Sequence, residues 1–355
     1  MSMDRIRVGI IGAGANTRSR HIPGLRTQNS VEIVGVANRS EESSRKAARE
    51  LDIAKVYADW TAVVADPAID AVCIGTWPYM HAQMVIAALD AGKHVMCEAR
   101  MAMNATQAHA MLAASRRNPS RIAQIVPAPP TLAVDRTIID AISQGAIGNV
   151  TAVDVRVFAG DYPNPSSPLH WRHNRDLSGN NIMSLGIWYE SIMRWVGAAS
   201  SAFAVGQVVV RHRRDASGAR VPISIPDHID VTGRLQQGGQ YRLAVSSVIG
   251  HAPNRSEAYI FGDEGTLAHI TPMEGNATLQ IAKRGGAGLA PLAIDPAKRG
   301  VWRVEEEFVN AIRLLEPVTH TDFLTGTKYM EWTDAVEESM RTRCEVALPL
   351  QIAAI

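Results

Sequence analysis

A glycine turn near the start of the chain has the residue types that cradle a dinucleotide. An apolar run, residues 7–11, leads into the turn, whose members are Gly12, Ala13, Gly14, Ala15, Asn16 and Thr17. Glycines let the backbone approach a pyrophosphate, and the amides at a helix start face its charge. Thr17 stands where the full fingerprint has a third glycine. The turn by itself is therefore also compatible with an ordinary strand-to-helix connection.

The end of the next apolar run, residues 31–37, would meet the adenosine ribose of such a nucleotide. An acid there binds the free 2′-hydroxyl of NAD, whereas an arginine suits the 2′-phosphate of NADP. This chain has Asn38, Arg39 and Ser40 at that point and no acid. A guanidinium matches phosphate geometry, and a serine hydroxyl can donate to phosphate. The segment favours NADP, with NAD possible and a solvated loop arginine as the alternative.

A polar, aromatic-rich loop at residues 160–174 is the candidate substrate loop. Long, proline-interrupted loops inside compact domains are usually functional. The loop contains His173, a candidate proton carrier because the unperturbed pKa of histidine is about 6.5, and it also contains Trp171 and Arg172. A histidine in a loop can equally be an ordinary surface residue.

Alternating strands and helices in the first third of the chain must position these residues. Apolar runs at 7–11, 31–37, 71–75, 93–97 and 122–126 are separated by helix-forming stretches. Asn104 is the expected N-cap of the helix that ends near residue 116. Such alternation predicts parallel βαβ units in a doubly wound sheet, an α/β dinucleotide-binding (Rossmann) domain over residues 1–126.

The pattern changes over residues 127–355. Short alternating strands, expected at 151–157, 203–210, 229–235, 241–248 and 258–261, predict an α+β domain with a largely antiparallel sheet. One helix, about 181–196 with Asn180 as its N-cap, is expected to cover one face of this sheet. The other face is expected to be open and apolar. Two closing helices, 301–315 and 325–344, are expected to pack back on the first domain.

Motifs along almost the whole chain resemble those of a known family. The most specific is Thr76-Trp77-Pro78-Tyr79-Met80-His81, followed by AALDAGKHV at 87–95 and by Cys97-Glu98. It is similar to the TPNxxH…AGKHVxCEKP segment of the Gfo/Idh/MocA oxidoreductases, named for glucose-fructose oxidoreductase and inositol dehydrogenase. The resemblance implies NAD(P)-dependent chemistry on a sugar, cyclitol or similar polyol.

The same resemblance implies positions and partners. It places Thr76, Trp77, His81 and Glu98 on the cofactor side, although capping or packing would also explain His81, and His21 likewise. In relatives the open sheet face makes the dimer or tetramer contact, so a homodimer or homotetramer is expected.

Departures from the family pattern fall among its catalytic residues. Ala99 and Arg100 follow Glu98 where the family has Lys-Pro, whose lysine reaches the nicotinamide ribose and the substrate hydroxyl. Ser184 and Trp188 stand where the family has an aspartate and a histidine four residues apart, the histidine being the proton acceptor. Neither alanine nor tryptophan can exchange that proton.

Tyr189 is the first candidate to replace the lost pair. It would act as an acid or base only if its pKa fell from about 10, and Arg100 or Arg172 is the cation that the sequence offers for this. The alternative is an aromatic residue packed in the core with a satisfied hydroxyl. His173 is the second candidate for the proton carrier.

Other polar and aromatic residues near the lost pair are assigned to the substrate or to the surface. Asn181, one helical turn before Ser184, is expected to face the substrate together with Trp171 and Trp188. Glu190 is expected to be an exposed helix charge, with a partner for a nearby cation as the alternative.

Composition excludes several other classes of protein. The chain has 355 residues and a net charge of +1, so a sizeable core is possible and neither nucleic acid nor a membrane surface is electrostatically favoured. The scattered histidines and the distant cysteines Cys73, Cys97 and Cys344 predict no metal site and reduced thiols. Without a signal-like segment or a long apolar window, a cytoplasmic enzyme is expected.

Three functional hypotheses remain. The first is an NADP- or NAD-dependent oxidoreductase acting on a secondary alcohol or hemiacetal of a sugar, cyclitol or hydroxylated ring, with a non-standard proton relay. The second is a redox-neutral glycosidase or lyase that oxidises a ring carbon transiently. The third is a cofactor-binding partner protein without chemistry of its own. The dense polar loop at 160–174 favours the first.

Overall fold

A parallel sheet forms the core of the first of two structural units. The computed structural model describes residues 5–158 and 160–351, and the first unit comprises residues 5–127 and Arg303–Met330. Its strands are β1 (Ile6–Ile11), β2 (Val31–Ala37), β3 (Lys55–Val56), β4 (Ala71–Ile74), β5 (His94–Cys97) and β6 (Ala123–Ile125). They pair in the order β3-β2-β1-β4-β5-β6 and are all parallel. The predicted doubly wound sheet is confirmed.

Helices connect these strands. They are α1 (Ile22–Arg26), α2 (Glu41–Glu50), α3 (Trp60–Ala65), α4 (Pro78–Asp90) and α5 (Ala105–Arg117). The side chain of Asn104 accepts a hydrogen bond from the Gln107 amide at 2.9 Å, so its predicted N-cap role is confirmed. β4 and β5 are buried at every position, as expected for strands covered on both faces.

A nine-stranded, mostly antiparallel sheet forms the second unit, which comprises Ala128–Trp302 and residues 331–351. The strands are β7 (Val150–Phe158), β8 (Ser201–Gln207), β9 (His212–Arg214), β10 (Arg220–Pro222), β11 (His228–Arg234), β12 (Gln240–Ser246), β13 (Asn254–Gly262), β14 (Gly265–Pro272), β15 (Thr278–Lys283), β16 (Ala290–Pro291) and β17 (Val346–Ala347). The large sheet has the order β16-β15-β14-β13-β7-β12-β11-β8-β17, with β7 and β12 parallel. β9 and β10 form a separate hairpin.

The remaining helices are α6 (Leu132–Ser143), α7 (Arg175–Ser178), α8 (Leu185–Val196), α9 (Val304–Ile312) and α10 (Phe323–Thr342). α9 belongs to the first unit, and α10 begins in the first unit and ends in the second. α8 packs against β7 and β12, so one helix covers one face of the sheet. Within the described residues, no helix is both long and apolar enough to cross a lipid bilayer.

α8 begins later than the sequence pattern predicts. Ser184 is its N-cap residue, and Asn180 lies outside the helix. The Asn180 side chain instead donates to Asp334 at 2.8 Å and accepts from Arg175 at 3.1 Å. The predicted capping role of Asn180 is therefore wrong, because its side chain joins two segments of the unit.

The uncovered face of the large sheet carries charged and aromatic side chains next to one another. Asp154 accepts hydrogen bonds from Arg242 and from Arg156 of neighbouring positions on that face. Tyr259 and Phe261, also at outward positions, stack with ring centroids 5.8 Å apart. The expected apolar open face is therefore found only in part, since charged residues alternate with the buried ones along these strands.

Candidate functional site

A cavity of about 310 Å³ lies over the glycine turn of the first unit. It is lined by Gly12, Ala13, Gly14, Asn38, Arg39, Ser40, Ser43, Gly75, Thr76, Trp77 and Tyr79. Gly12 has a φ of +86°, and a Cβ there would lie 2.8 Å from the Thr76 side chain and 2.9 Å from the Gly75 backbone. A side chain would therefore fill the cradle, and the turn fits the close approach of a pyrophosphate. Helical backbone begins at Ala15, and the first amides of a helix have no partner within the helix and attract anions.

Thr17 occupies the position of the missing third glycine and closes the turn from within. Its side chain is buried, and its hydroxyl donates to the Gly12 carbonyl at 3.1 Å. A Cβ at Gly75 would lie 2.0 Å from this hydroxyl oxygen. Thr17 thus packs the turn, and a π-helical turn over Thr17–His21 replaces a regular helix start.

Asn38 and Ser40, expected as ribose or phosphate ligands, hold the loop after β2 in place. Asn38 Oδ1 accepts from the Ala13 amide at 2.7 Å, and Asn38 Nδ2 donates to the Ser43 carbonyl at 2.9 Å. Ser40 Oγ caps α2 by accepting from the Ser43 amide at 3.3 Å. Both side chains therefore have structural partners, which differs from their expected ligand roles.

Arg39 is the cationic side chain of this cavity. It is exposed, and the structure records no hydrogen bond or ion pair for it among residues 5–158 and 160–351. Its guanidinium remains available for an anion at the position predicted for the adenosine ribose.

Glu98, at the end of β5, belongs to a buried network of charges. Its Oε1 accepts from Asn16 Nδ2 and from His21 Nε2 at 2.9 Å, and its Oε2 accepts from the Ala99 amide at 3.1 Å. The other nitrogen of the His21 ring, Nδ1, lies 2.5 Å from Glu305 Oε1. We call these three ionisable residues the Glu98–His21–Glu305 cluster.

The histidine of this cluster is charged at neutral pH. Burial lowers the pKa of His21, but its hydrogen bonds with Glu305 and Glu98 outweigh burial and raise the pKa to about 9. Burial raises the pKa of Glu98, but the hydrogen bond and charge of His21, together with the hydrogen bonds from Asn16 and the Ala99 amide, outweigh burial and lower the pKa below its ordinary value. No sequence motif links Glu305 to the distant residues His21 and Glu98, so its place in the cluster could not be predicted.

His81 is buried beneath the same edge of the sheet. Its Nδ1 lies 2.9 Å from the Arg100 carbonyl oxygen, and its Nε2 lies 3.1 Å from the Thr76 carbonyl oxygen. Burial lowers the pKa of His81, and the contacts with the Thr76 and Arg100 carbonyls act in the opposite direction. The packing explanation of His81 fits these contacts better than a cofactor contact. Trp77, by contrast, lies at the N-cap of α4 and lines the cavity.

Arg100 packs inside the first unit. Its guanidinium carbon lies 5.8 Å from the centroid of the Tyr329 ring, within cation–π distance, and the side chain is buried. The Tyr329 hydroxyl accepts from the Met101 amide at 2.6 Å. The predicted catalytic residue Arg100 therefore has an aromatic packing partner beside the segment that replaces Lys-Pro.

Tyr189 lies in the core of the second unit. Its ring stacks on Trp332 with centroids 4.0 Å apart, and its hydroxyl accepts from the Ala199 amide at 3.0 Å. Burial raises the pKa of Tyr189 well above its ordinary value. Proton exchange at physiological pH would require the opposite shift. The geometry therefore favours the packing role of Tyr189 over the proton-relay role.

The segment Trp171–His173 forms a single 3₁₀ turn. The exposed guanidinium of Arg172 lies over Trp171, 4.3 Å from the ring centroid. His173 is half-buried, and its Nδ1 accepts from the His170 amide at 3.3 Å, which assigns the proton of the neutral ring to Nε2. Burial and the nearby charge of Arg213 lower the pKa of His173 to about 4. At neutral pH His173 is thus a hydrogen-bond donor rather than a base poised near neutrality.

The other expected substrate residues are buried in the second unit. Asn181 Nδ2 donates to the Ser178 carbonyl at 2.6 Å, and Trp188 is 5% exposed. Glu190 is fully buried, and its Oε1 accepts from Arg194 and from the Ala128 amide, both at 3.0 Å. The expectation that Glu190 is an exposed helix charge is wrong, because a buried arginine on the next helical turn pairs with it.

Comparisons with known proteins cover most of the chain. The family model for an oxidoreductase family with an NAD-binding Rossmann fold, GFO_IDH_MocA, matches residues 6–124, and the model for the GFO/IDH/MocA C-terminal domain matches residues 136–268. An uncharacterised oxidoreductase of Rhizobium meliloti is 30% identical over 208 residues. That match covers 58% of this chain and 61% of the relative, less than two thirds of its length.

Levoglucosan dehydrogenase matches both in sequence and in structure. The enzyme of Pseudarthrobacter phenanthrenivorans is 25% identical over 343 residues, 85% of this chain and 84% of that one. A solved apo structure of levoglucosan dehydrogenase superposes with a TM-score of 0.87 at 23% identity, covering 99% and 100% of the two chains. A complex with NADH and levoglucosan gives a TM-score of 0.83 at 23% identity, with 97% and 99% covered. The structural likeness establishes the fold.

Proposed function

Because the chain belongs to the Gfo/Idh/MocA family of NAD(P)-dependent oxidoreductases, we propose that it is an NADP-preferring dehydrogenase or reductase. Its substrate would be a secondary alcohol or hemiacetal of a sugar, cyclitol or hydroxylated ring, in keeping with its similarity to levoglucosan dehydrogenase. The observation that carries the proposal is the cavity over the glycine turn, with Arg39 on its wall.

Different residues of the cavity are suited to the pyrophosphate and to the 2′-phosphate of NADP. Gly12 and Gly14 leave room for the pyrophosphate, and the helical backbone that begins at Ala15 directs amides towards it. Arg39 would bind the 2′-phosphate that distinguishes NADP from NAD. When bound, the nicotinamide supplies the hydride acceptor or donor.

Glu98 is proposed to orient the nicotinamide half. It follows β5, and ligands of doubly wound sheets bind beyond the carboxyl ends of the strands. Three donors fix its carboxylate, and the charged His21 keeps it ionised. A fixed anion there can accept hydrogen bonds from ribose hydroxyls, a task that requires no proton transfer.

The proton step is proposed to proceed without a dedicated base. The neutral His173 ring can donate from Nε2 to a substrate oxygen, and Arg172 presents a cation on the same turn. Neither His173 nor Tyr189 has a pKa near neutrality. A positioned proton acceptor typically raises the rate of such a step by about 10²- to 10⁴-fold. Without one, the alcohol proton would pass to solvent, and the rate of oxidation would rise continuously with pH.

The test is an activity screen of the purified protein. NADP and NAD are each paired with panels of sugars, cyclitols and dihydrodiols, and the absorbance of reduced nicotinamide is followed. We expect turnover with NADP for at least one class. No change in any pairing would reject the proposal, whereas cleavage of a glycoside without net cofactor change would favour the redox-neutral alternative.

Two glycine variants tie the result to the cavity. Gly12→Ala should abolish NADP binding, since its Cβ would meet Thr76 and Gly75 at under 3 Å. Gly238→Ala is the matched control, because Gly238 has a φ of +96° and open space where its Cβ would lie. Equal loss of cofactor binding in both variants would mean that the loss is not specific to the glycine turn, and would contradict the assignment of this cavity to the cofactor.

A further inference from the structure

A second cavity, of about 620 Å³, lies in the second unit beside the substrate loop. Pro165 of the loop lines one part of it, and residues 209–214 with Arg220 line the rest. Four of these residues are arginines: Arg211, Arg213, Arg214 and Arg220. The only carboxylate in the segment 209–222 is that of Asp215. The cavity therefore concentrates positive charge in a protein whose net charge is +1.

Arg213 is the least exposed of these arginines, at 7%. Its Nε has no hydrogen-bond acceptor, and its side chain makes no ion pair, within residues 5–158 and 160–351. The other two nitrogens of the guanidinium are not among the fully buried atoms, so the charge keeps part of its hydration. A cation largely removed from water is stabilised by an anion, and an anion in the cavity would provide that stabilisation.

The nearby carboxylates are already engaged by backbone amides. Asp227, which is buried, accepts from the amides of Val209 and Val210 at 2.7 and 2.9 Å. Asp215 accepts from the amides of Ser217 and Ala219. These bonds stabilise the hairpin's own turn and the segments that flank it, and neither carboxylate forms an ion pair with Arg213 within the described residues.

The hairpin and the substrate loop form one continuous structure. The Leu169 amide donates to the Arg214 carbonyl at 2.7 Å, and Pro168 forms a parallel bridge with Arg214. Arg213 is also close enough to His173 for its charge to lower the pKa of that ring. We call this second cavity, with Arg211, Arg213, Arg214 and Arg220 in its lining, the arginine cavity. It adjoins the turn that carries the proposed substrate donor His173.

We propose that the arginine cavity binds an oxyanion of the substrate, a carboxylate or a phosphate, and that the substrate is an acidic sugar or polyol. This inference rests on the proposed function and narrows its substrate class. Guanidinium groups form bidentate, charge-assisted hydrogen bonds to both oxyanions, and Arg213 is the central ligand. Arg211 and Arg220 supply further charge, and the Arg220 guanidinium is already oriented by His212 at 3.1 Å.

The test measures equilibrium binding by the full-length protein without turnover. Glucuronate, glucose 6-phosphate and neutral glucose are titrated at constant ionic strength by calorimetry. We expect saturable binding of at least one acidic sugar and weaker binding of glucose. The two acidic probes distinguish a carboxylate site from a phosphate site.

Arg213→Met should weaken acidic-sugar binding by roughly 10- to 100-fold, the loss of one charge-assisted hydrogen-bonding partner. It should leave glucose binding unchanged. Arg255→Met, which removes an exposed arginine on β13, is the matched control and should bind like the wild type. An unchanged affinity in Arg213→Met, or equal binding of acidic and neutral sugars, would overturn the proposal.

Failures of this inference and of the proposed function are distinguishable. Acidic-sugar binding without any turnover would retain the anion site and reject the dehydrogenase activity. Turnover of neutral sugars alone would retain the activity and reject the anion site. A change of oligomeric state in Arg213→Met, seen by light scattering with unaltered ligand binding, would assign the arginines to a contact between copies and reject the ligand site.

Discussion

Two largely buried arginines in the second unit have opposite surroundings. Arg194, on α8, lies 3.0 Å from Glu190 and 2.9 Å from Asp135, and it also donates to the Ala128 carbonyl at 3.0 Å. Arg213, on β9, has no acceptor for its Nε within the part of the chain that the structure describes. Both side chains are largely removed from water, but only Arg194 forms ion pairs within the described residues.

The difference separates structural charges from ligand-directed ones. A buried ion that is fully paired fixes the fold, and removing one member leaves the others uncompensated. A buried ion without a partner makes no such contribution and is available to a ligand. Arg194 with Glu190 and Asp135 is of the first kind, and the arginine cavity is of the second.

The largest expected effect is on Arg194. Arg194→Met should lower the free energy of unfolding by about 3–5 kcal/mol, because Glu190 and Asp135 would stay buried without a counter-ion. Arg213→Met should be as stable as the wild type or slightly more stable. Chemical denaturation of the ligand-free proteins measures both. Equal destabilisation by the two substitutions would contradict the claim that Arg194 stabilises the fold and Arg213 does not.

The next effect is on His21 and depends on pH. Its folded pKa of about 9 exceeds the ordinary value of 6.5, so its stabilisation is complete below pH 6.5 and is lost as the pH rises through 9. The shift corresponds to roughly 3 kcal/mol at about 1.4 kcal/mol per unit. Chemical denaturation of the wild type from about pH 6 to about pH 10 should show that the free energy of unfolding declines as the pH rises.

His21→Asn should be less stable at neutral pH and should lack the alkaline decline. His251→Asn, at an exposed histidine, is the control and should retain it. A wild-type profile that is flat between these limits would show that the Glu98–His21–Glu305 cluster is not ionised as described.

A smaller effect concerns a cation that faces the cofactor cavity. Arg39→Asp should weaken NADP binding by about 10- to 100-fold, or about 1.5–3 kcal/mol, and should leave NAD binding unchanged. Arg45→Asp, on the exposed side of α2, controls for the change of net charge. Fluorescence titration with both cofactors measures the affinities, and an equal loss for NAD would contradict the 2′-phosphate assignment.

The smallest effect is expected at Tyr189. Tyr189→Phe removes the acceptor of the buried Ala199 amide and should cost about 1–2 kcal/mol of stability. The turnover number should not change, because the hydroxyl is a packing group. A large fall in turnover with little loss of stability would restore Tyr189 to the proton path.

Much of the first unit could be predicted from sequence because its elements are governed by local patterns. The apolar strands, the Asn104 cap and the glycine turn each depend on neighbouring residues. The residues that hold the loop after β2 could not be assigned so directly. Asn38 has the right type for a ribose ligand, but its oxygen accepts from Ala13, a contact that only the folded turn creates.

The candidate site was predicted less completely because its partners are distant along the chain. Glu305 contacts His21 across the fold of the first unit, and Arg213 lies next to the loop of His173 through the Leu169–Arg214 hydrogen bond. Tyr189 follows Trp188 directly, and this adjacency suggests a role in proton transfer. In the structure, however, its ring stacks on Trp332 in the core of the second unit. Burial of a polar side chain depends on tertiary packing, which spacing along a helix does not determine.

The contact between Thr17 and Gly75 has a consequence for how the chain can vary. Thr17 fills the space that a side chain at position 75 would need, since such a Cβ would lie 2.0 Å from its hydroxyl oxygen. The same Cβ would lie 2.4 Å from the Gly12 carbonyl oxygen, so Thr17→Gly alone would not make room for Gly75→Ala. Position 75 is therefore closed to side chains on any mutational route that keeps the present backbone of the dinucleotide turn.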